Sequence, residues 1–323
     1  MSAPARTEVY EVEHRAEVAA PAELAYRLLS DVTHWPRLFP NIVHMEQFSS
    51  DGDGTSERVG VWLTSGERVF PWVALRVLRP GELRVDYRQE TTQAPVADMG
   101  GSWIVEPLSE RACRVRLLHD CRPATDEPAT LEFIAETLER NSTAELAAFK
   151  EAAEREAADE RLVTEIEDTA RVDGSVADVY EFLADAAAWP GRIPHIVSVD
   201  AREGGDNVQL LDWVTHTERG VDHPSKVVRV CFPPDRIVYR HQLLPPLAAV
   251  HTGSYTVTAD GDGAVVSSRH TVVLSESGIA SVLGEGADVE QARDFTRRAL
   301  STSSREVLAR AKEFAEHRRH GGG

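Results

Sequence analysis

The stretch AEVAAPAELAYRLLSDVTHWPRLFPNIV, residues 16–43, matches without a gap the stretch ARVDGSVADVYEFLADAAAWPGRIPHIV, residues 170–197. Identical residues stand at the same places in both stretches, among them a tyrosine and a Trp-Pro pair. The offset from Trp35 to Trp189 is 154 residues and stays constant along the match. Self-similarity at a fixed spacing is the sequence signature of a repeated structural unit.

Two later matches extend the repeat beyond these segments. Arg76 corresponds to Arg229 at an offset of 153 residues, and Gly101 corresponds to Gly253 at an offset of 152. Insertions or deletions in turns produce a drift of this size. The sequence therefore predicts one fold that occurs twice.

Each copy begins with the same local patterns. An alternating strand, residues 8–18 or 162–172, precedes a short amphipathic helix. The first helix is expected to begin at Pro21, and the second to follow Ser175 as its N-cap. The Trp-Pro pair is expected to end each helix, since the residue before proline disfavours helical geometry.

The rest of each copy consists of alternating apolar and polar runs, separated by turn clusters such as SDGDG and FPPD. A long helix closes each copy, beginning near Pro128 in the first and near Ala287 in the second. One strand, two short helices, about six strands and a long helix form an α+β order, because no helix links successive strands. We place the boundary between two domains, residues 1–158 and residues 159–323.

The composition limits the functional classes. The chain has 323 residues, of which 42% are hydrophobic and 27% charged, and its net charge is −18. This charge argues against nucleic-acid binding through the whole surface, since phosphate binding needs clustered Lys and Arg. No apolar run approaches the roughly 20 residues that span a bilayer, and the N-terminus lacks the apolar core of a signal peptide. Three cysteines without metal-ligand spacing indicate a reducing, cytoplasmic compartment.

Three short motifs point to a family. They are the WPxxxP segments that begin at Trp35 and Trp189, the strand WVALRV around Arg76, and the stretch ERNSTAELAAFK of the first long helix. Together with the duplication, they resemble the di-domain aromatase/cyclases of bacterial type II polyketide synthases. These enzymes belong to the START or Bet v 1-like helix-grip superfamily.

The resemblance implies a fold and an activity. In each copy a curved antiparallel sheet would wrap around the long C-terminal helix and enclose a cavity. The enzyme would act on a ketoreduced poly-β-ketone held by an acyl carrier protein, and would direct the aldol closure and dehydrative aromatisation of its first ring. It would need no metal or cofactor, and its partners would include a ketosynthase and a ketoreductase.

Two other functions remain open from the sequence. One is a non-catalytic helix-grip carrier of an apolar or aromatic small molecule, which predicts an almost wholly apolar cavity. The other is a structural chaperone of a synthase complex, which two intact pockets would argue against. Interleaved arginines, aromatics and histidines favour the enzyme.

In the first copy, alternation along the strand ERVFPWVALRV puts four side chains on one face. They are Arg68, Phe70, Trp72 and Arg76. The resemblance implies that Arg76 and Trp35 lie near the pocket; the alternative is a surface or interface arginine and a core tryptophan. The later strands add Tyr87 and Trp103 to the expected lining, and for these residues ordinary core packing is the alternative.

In the second copy, His223 and Ser225 replace the two aromatics of this strand, while Arg229 remains. Further candidates for this pocket are Trp189, His195, His216, Tyr239, His241, His251, Tyr255, Arg269 and His270. Six of the twelve histidines fall between positions 195 and 270. An unperturbed imidazole titrates near pH ~6.5, which suits proton transfer. The alternative is a set of surface or hydrogen-bonded core histidines.

The long helices carry matching polar residues. Asn141 and Ser142 align with Thr302 and Ser303, and mid-helix hydroxyls favour neither helix propensity nor apolar packing. If they face the cavity, they can bind a ketide oxygen. The catalytic set expected from these arguments is Arg76, Arg229, His216, Tyr239 and Ser303, and the other candidates are expected to bind substrate.

One departure from the resemblance concerns proton transfer. Single-domain relatives carry a tyrosine seven residues after the tryptophan, where this chain has Ile42 and Ile196. The role of that tyrosine therefore cannot be transferred to either of these two positions. A cluster of Arg293, Arg297 and Arg298 on the last helix is a candidate contact for an acidic carrier protein, or else a solvated helix face.

Overall fold

The computed structural model describes residues 9–216 and 222–321. The chain divides into two compact units. One comprises the chain up to Leu63 together with Phe70–Asp159, and the other comprises Thr64–Val69 together with the chain from Glu160 onward. No helix among the described residues combines the length and apolar character that crossing a membrane requires.

The first copy contains a seven-stranded antiparallel sheet and one long helix. Its elements are β1 Tyr10–Val18, α1 Ala22–Ser30, α2 Trp35–Leu38, β2 Ile42–Ser50, β3 Ser56–Ser65, β4 Arg68–Arg79, β5 Arg84–Gln89, β6 Val96–Ser109, β7 Ala112–Pro123 and α3 Pro128–Ala158. The strand order is β1-β7-β6-β5-β4-β3-β2. The sheet is thus a meander from β2 to β7, with the first strand added beside the last.

The second copy repeats this order. Its elements are β8 Val163–Val172, α4 Val176–Ala184, α5 Trp189–Arg192, β9 Ile196–Gly205, β10 Val208–His216, β11 Asp222–Phe232, β12 Arg236–His241, β13 Ala248–Asp260, β14 Gly263–Leu274, α6 Glu276–Leu283 and α7 Val289–Gly321. The strand order β8-β14-β13-β12-β11-β10-β9 is the same as in the first sheet. The predicted tandem α+β architecture, with one long C-terminal helix per copy, is confirmed.

The long helix of each copy packs against the inner face of its own sheet. In the first copy Leu146 and Phe149 share a core with Val115 and Trp103. In the second copy the corresponding helix contributes residues such as Leu308 and Ala311 to a core with Val266. Burial of these apolar side chains, at about 25 cal/mol per Å², holds helix and sheet together.

The expected role of the Trp-Pro pair was wrong. The helix α1 ends at Ser30, and a 3-10 turn separates it from Trp35, which begins α2 with Pro36 in its first turn. Proline is tolerated there because its missing N–H would have no partner inside the helix. The predicted cap at Ser175 is confirmed, since its Oγ accepts a hydrogen bond from the Asp178 N–H at 3.0 Å. The helix α6 had no counterpart in the sequence prediction.

The repeated glycine of each sheet leaves space for a tyrosine. A Cβ built on Gly101 would lie 2.0 Å from the carbonyl oxygen of Leu118 and 2.8 Å from the hydroxyl of Tyr87. A Cβ on Gly253 would lie 2.4 Å from the hydroxyl of Tyr239. Real Cβ atoms do not approach other atoms this closely, so these positions exclude any side chain.

We expect Gly253→Ala to destabilise the protein by about 1–3 kcal/mol, the usual cost of overpacking. The measurement is the free energy of unfolding in urea. The matched control is Gly81→Ala, because a Cβ at Gly81 meets no atom within 4 Å. Equal stability of the two variants would contradict this account of the glycine.

Candidate functional site

A buried arginine joins the sheet to the first short helix. Arg76 on β4 is 2% exposed, and its Nη2 donates to the carbonyl oxygens of Leu29 at 2.7 Å and Ser30 at 3.1 Å. Its guanidinium carbon lies 5.4 Å from the ring centroid of Trp35, whose Nε1 donates to the Leu29 carbonyl at 3.0 Å. Arginine and tryptophan together thus satisfy the carbonyls at the end of α1, which no helical N–H reaches.

A carboxylate neutralises this arginine. Glu57 on β3 places its Oε1 2.8 Å from the Arg76 Nη1, and its Oε2 accepts a hydrogen bond from Gln47 at 2.7 Å. Burial lowers the pKa of Arg76 to about 10, so the guanidinium stays charged at neutral pH. Sequence reasoning missed Glu57, because nothing in its local pattern separates it from a surface glutamate on an alternating strand.

The second copy keeps the arginine and loses the carboxylate. Arg229 is 1% exposed, its Nη2 donates to the Leu183 carbonyl at 2.5 Å, and its guanidinium carbon lies 5.2 Å from the Trp189 ring centroid. Its cross-strand neighbour is Gln209, whose Nε2 donates to the Ala184 carbonyl at 2.9 Å. Burial lowers the pKa of Arg229, and within the described ranges no carboxylate forms an ion pair with it.

A first polar cluster, defined as Tyr87, His119 and Ser142, lies between the sheet and α3. The Oγ of Ser142 is 3.1 Å from the Nδ1 of His119, and the rings of Tyr87 and His119 meet edge to face at 6.1 Å. Burial lowers the pKa of His119 to about 4, which makes this imidazole neutral at physiological pH. The cluster therefore offers neutral hydrogen-bond donors and acceptors.

One ionisable carboxyl group accompanies the first polar cluster. Glu145 stands three residues after Ser142 on α3, and burial raises the pKa of its carboxyl group to about 7. The Glu145 charge in turn contributes to raising the pKa of Tyr87, after the larger effect of burial. A perturbed carboxyl group that titrates near the working pH is a mark of functional sites.

A second polar cluster, defined as Tyr239, His251, His270 and Ser304, occupies the corresponding place in the second copy. The Nδ1 of His270 is 3.0 Å from the Tyr239 hydroxyl and 2.9 Å from the His251 Nε2, while its own Nε2 is 2.7 Å from the Ser304 Oγ. A neutral His270 with its proton on Nε2 fits all three contacts. It donates to the serine, and the single lone pair of its Nδ1 is shared between the other two groups as donors.

Further imidazoles extend the second polar cluster and remain neutral. His241 stacks on His251 with ring centroids 4.1 Å apart and planes 5° from parallel. Burial is the main cause that lowers the pKa of His270 to about 4 and that of His241 to about 3, and it lowers the pKa of His251 as well. The expectation of imidazoles that titrate near neutral pH was therefore wrong for these three. Their burial disfavours the charged form.

The structure brings some of the predicted site residues into the interior. Buried or partly buried members are Trp35, Phe70, Trp72, Arg76, Tyr87, Trp103, Ser142, Trp189, His195, Ser225, Arg229, Tyr239, Tyr255 and Ser303. Among these, Trp103 packs with Trp35, and Tyr255 packs with Tyr239. Ser303 is placed next to His195, with its Oγ 3.0 Å from the His195 Nε2.

Other predicted site residues lie at the surface. They are Arg68, Asn141, His216, His223 and Arg269. His216 contacts Asp222 at 2.7 Å, and Arg269 pairs with Glu167 at 3.0 Å.

The alignment of the long helices was wrong by one residue. Ser142 contacts His119, and the residue that contacts His270 is Ser304, so these two serines correspond and Ser303 does not match Ser142. The groups that sequence reasoning left out of the site are Glu57, His119 and Glu145. For His119 a signal existed, because it continues the buried alternation of Cys113, Val115 and Leu117 along β7.

Within the described residues, no three or more His, Cys, Asp or Glu side chains are grouped as a metal ion would require. The three cysteines are free and buried.

Removal of the buried counter-ion gives a matched test of the two arginines. We expect Glu57→Gln to lower the free energy of unfolding by about 3 kcal/mol, at the low end of the cost of breaking a buried ion pair. Gln209→Glu should raise the stability of the second copy, because Arg229 gains a carboxylate. Urea denaturation measures both, and opposite signs are the expected result.

The buried imidazoles predict acid sensitivity. Unfolded histidines bind protons below pH ~6.5, whereas His270 and His119 in the folded protein resist protonation until about pH 4. The contribution of each such histidine to the free energy of unfolding is therefore complete above pH ~6.5. It falls by up to ~1.4 kcal/mol per pH unit as the pH drops towards 4. His241→Gln should flatten the pH dependence of unfolding in urea, and the exposed His317→Gln should not.

Comparison with known proteins identifies the family. The model of the family described as "Polyketide cyclase / dehydrase and lipid transport" matches twice, at residues 10–154 and 163–316. The granaticin polyketide synthase bifunctional cyclase/dehydratase of Streptomyces virginiae is 37% identical over 299 residues, covering 91% of this chain and 96% of the relative. The actinorhodin polyketide synthase bifunctional cyclase/dehydratase of Streptomyces coelicolor is 37% identical over 316 residues, covering 95% and 97%.

Two solved structures share the whole two-copy architecture. The di-domain aromatase/cyclase BexL from the BE-7585A biosynthetic pathway superposes with a TM-score of 0.89 at 43% identity, covering 95% of this chain and 99% of BexL. The di-domain aromatase/cyclase StfQ from the steffimycin pathway gives a TM-score of 0.85 at 33% identity, covering 96% and 99%. The chain belongs to the polyketide cyclase/dehydrase and lipid transport family, which it carries as two copies in the manner of the di-domain aromatase/cyclases.

Proposed function

We propose that this protein is a polyketide aromatase/cyclase that closes the first ring of a ketoreduced poly-β-ketone and then removes water to give an aromatic ring. The observation that carries the proposal is the polar cluster beneath the long helix of each copy. In both, a tyrosine, a histidine and a helix serine come together on the inner face of the sheet. A carrier of apolar ligands has no need of such groups in its interior.

The chemistry requires control of shape and of protons. A flexible poly-ketone closes in several ways, so the enzyme gains most by holding one conformer in which an enol carbon meets one carbonyl. The aromatic residues around the first cluster, among them Trp103 and Trp72, supply an apolar wall. In this proposal the Tyr87 hydroxyl donates to the oxygen on which charge develops, and the Tyr239 hydroxyl does the same in the second copy by exchanging its bond to His270 for one to the substrate.

In this proposal the two arginines act indirectly, by positioning other elements. Arg76 and Arg229 donate to the carbonyls that end α1 and α4, so they fix the short helices against the sheet. We assign them a positioning role, and we assign proton transfer to the polar clusters. Ser303 with His195 forms a separate pair, which we propose binds substrate in the second copy.

Several finer features belong to the same proposal. The substrate would arrive on the phosphopantetheine arm of an acyl carrier protein, with ketosynthase and ketoreductase acting before this enzyme in the cytoplasm. Arg297 and Arg298 are exposed on α7 and suit an acidic carrier, whereas Arg293 donates to the Arg161 carbonyl at 3.1 Å. Aldol closure and loss of water involve proton transfer alone, so the proposed reaction needs no cofactor.

Product profiling tests the function. A minimal synthase with ketoreductase is run with and without the full-length protein, and then with Tyr87→Phe and Tyr239→Phe separately. We expect the wild type to direct the mixture to one first-ring aromatic product. Loss of a single oxyanion donor should lower the rate of formation of that product by about 10²-fold when the tyrosine belongs to the copy that performs ring closure.

The exposed Tyr10→Phe is the matched control and should behave as the wild type. If addition of the wild-type protein leaves the product mixture unchanged, the enzyme proposal is lost. Tight, reversible binding of an aromatic ligand by that same protein would then support the carrier.

A further inference from the structure

We infer that the second copy holds a binding site for one small monovalent anion, such as chloride, against the guanidinium of Arg229 on β11. The anion supplies the negative charge that Glu57 supplies to Arg76 in the first copy. The inference is independent of the proposed enzyme activity, because it concerns the balance of charge inside the fold.

The two copies hold their buried arginine in the same way. Arg229 donates through Nη2 to the Leu183 carbonyl at the end of α4, and its guanidinium lies over the Trp189 ring. Arg76 makes the equivalent contacts in the first copy. Because backbone carbonyls and aromatic rings carry no net charge, these contacts leave each guanidinium with its full positive charge.

Two acids act on the arginine of the first copy. The Glu57 Oε1 lies 2.8 Å from the Arg76 Nη1, and Asp31 acts on the same guanidinium electrostatically. The repeat places Asp185 where Asp31 stands, but Asp185 pairs with Arg192 at 3.1 Å. One of the two counter-charges is therefore engaged with another arginine in the second copy.

Gln209 takes the place of Glu57 without replacing its charge. Its Nε2 donates to the Ala184 carbonyl at 2.9 Å, and its Oε1 meets no donor among the residues that the structure describes. The Nε and Nη1 of Arg229 are buried, and they have no acceptor within the described part of the chain. Of these two nitrogens, Nη1 is the one that a carboxylate contacts in the first copy.

The other polar groups near Arg229 are neutral. Those that act on it electrostatically are Cys231, Tyr255, Tyr239 and Tyr180. Burial raises the pKa of the thiol and of each phenol, so none of them carries a negative charge at physiological pH. Such groups can donate hydrogen bonds to an anion, but they cannot neutralise a guanidinium.

The charge and size of the ligand follow from these contacts. An arginine side chain keeps its proton at neutral pH, and a buried ion requires a partner of opposite charge. One guanidinium needs one negative charge, and a single compact carboxylate performs this task in the first copy. Because Arg229 is 1% exposed, only a small ion fits beside it. Chloride and bromide meet these requirements.

Urea unfolding of the full-length chain, with chloride exchanged for gluconate at constant ionic strength, tests the site. Gluconate carries the same charge and is too large to reach a buried side chain. A ligand that binds only the folded state lowers the equilibrium constant of unfolding about tenfold per tenfold rise in its concentration above the dissociation constant. We expect this dependence on chloride in the transition of the second copy, which is the one that Gln209→Glu shifts.

Two variants locate the effect. Gln209→Glu should abolish the dependence on chloride, because its carboxylate takes the place of the anion. The matched control, Gln242→Glu, adds the same charge at an exposed position of the second copy and should keep the dependence. A Gln209→Glu protein that responds to chloride as the wild type does would overturn the inference. So would a wild-type protein that is equally stable in both salts.

Crystals of the wild-type protein in sodium bromide provide a test that needs no variant. We expect an anomalous difference peak beside the Arg229 Nη1, and bromide found at surface positions only would overturn the inference. None of these measurements involves a polyketide, so an unfavourable result leaves the proposed function untouched.

Discussion

The constraint on which each copy depends is the burial of a guanidinium group between a tryptophan ring and the end of a short helix. Arg76 over Trp35 and Arg229 over Trp189 make the same contacts with backbone carbonyls. A buried cation must be hydrogen-bonded, so the helix can sit in one place only. In that place each short helix packs against both the sheet and the long helix of its own copy.

The fold could be predicted well because each secondary-structure pattern occurs twice in the sequence, once in each copy. Strand alternation, turn clusters and the long helices each appeared twice, and the order of elements followed from them. The Trp-Pro pair was misread because proline before a helix and proline after one look alike in sequence. The register of the long helices was wrong by one residue, since runs of hydroxyl residues such as those around Ser303 align equally well in either register.

The site was less predictable because it depends on partners that are distant in sequence. Glu57 and Gln209 occupy corresponding places, yet only the fold shows that one neutralises an arginine and the other does not. The charge state of the histidines could not be predicted either. It depends on how deeply each imidazole is buried, and residue type alone does not give the burial. Trp103 lies in the interior, where either the expected pocket lining or ordinary core packing would put it, since alternation on a strand is a local property.

The glycines Gly101 and Gly253 have a consequence for how such enzymes diversify. A methyl group at either would overlap the hydroxyl of the facing tyrosine, so the sheet cannot take a side chain at these two positions. The long helix does vary on its inner side, since Glu145 in one copy stands where Val307 stands in the other. New substrate lengths and new regiochemistry should therefore arise at positions other than these glycines, along the long helix and on strands such as β4, whose Trp72 corresponds to Ser225 in the second copy.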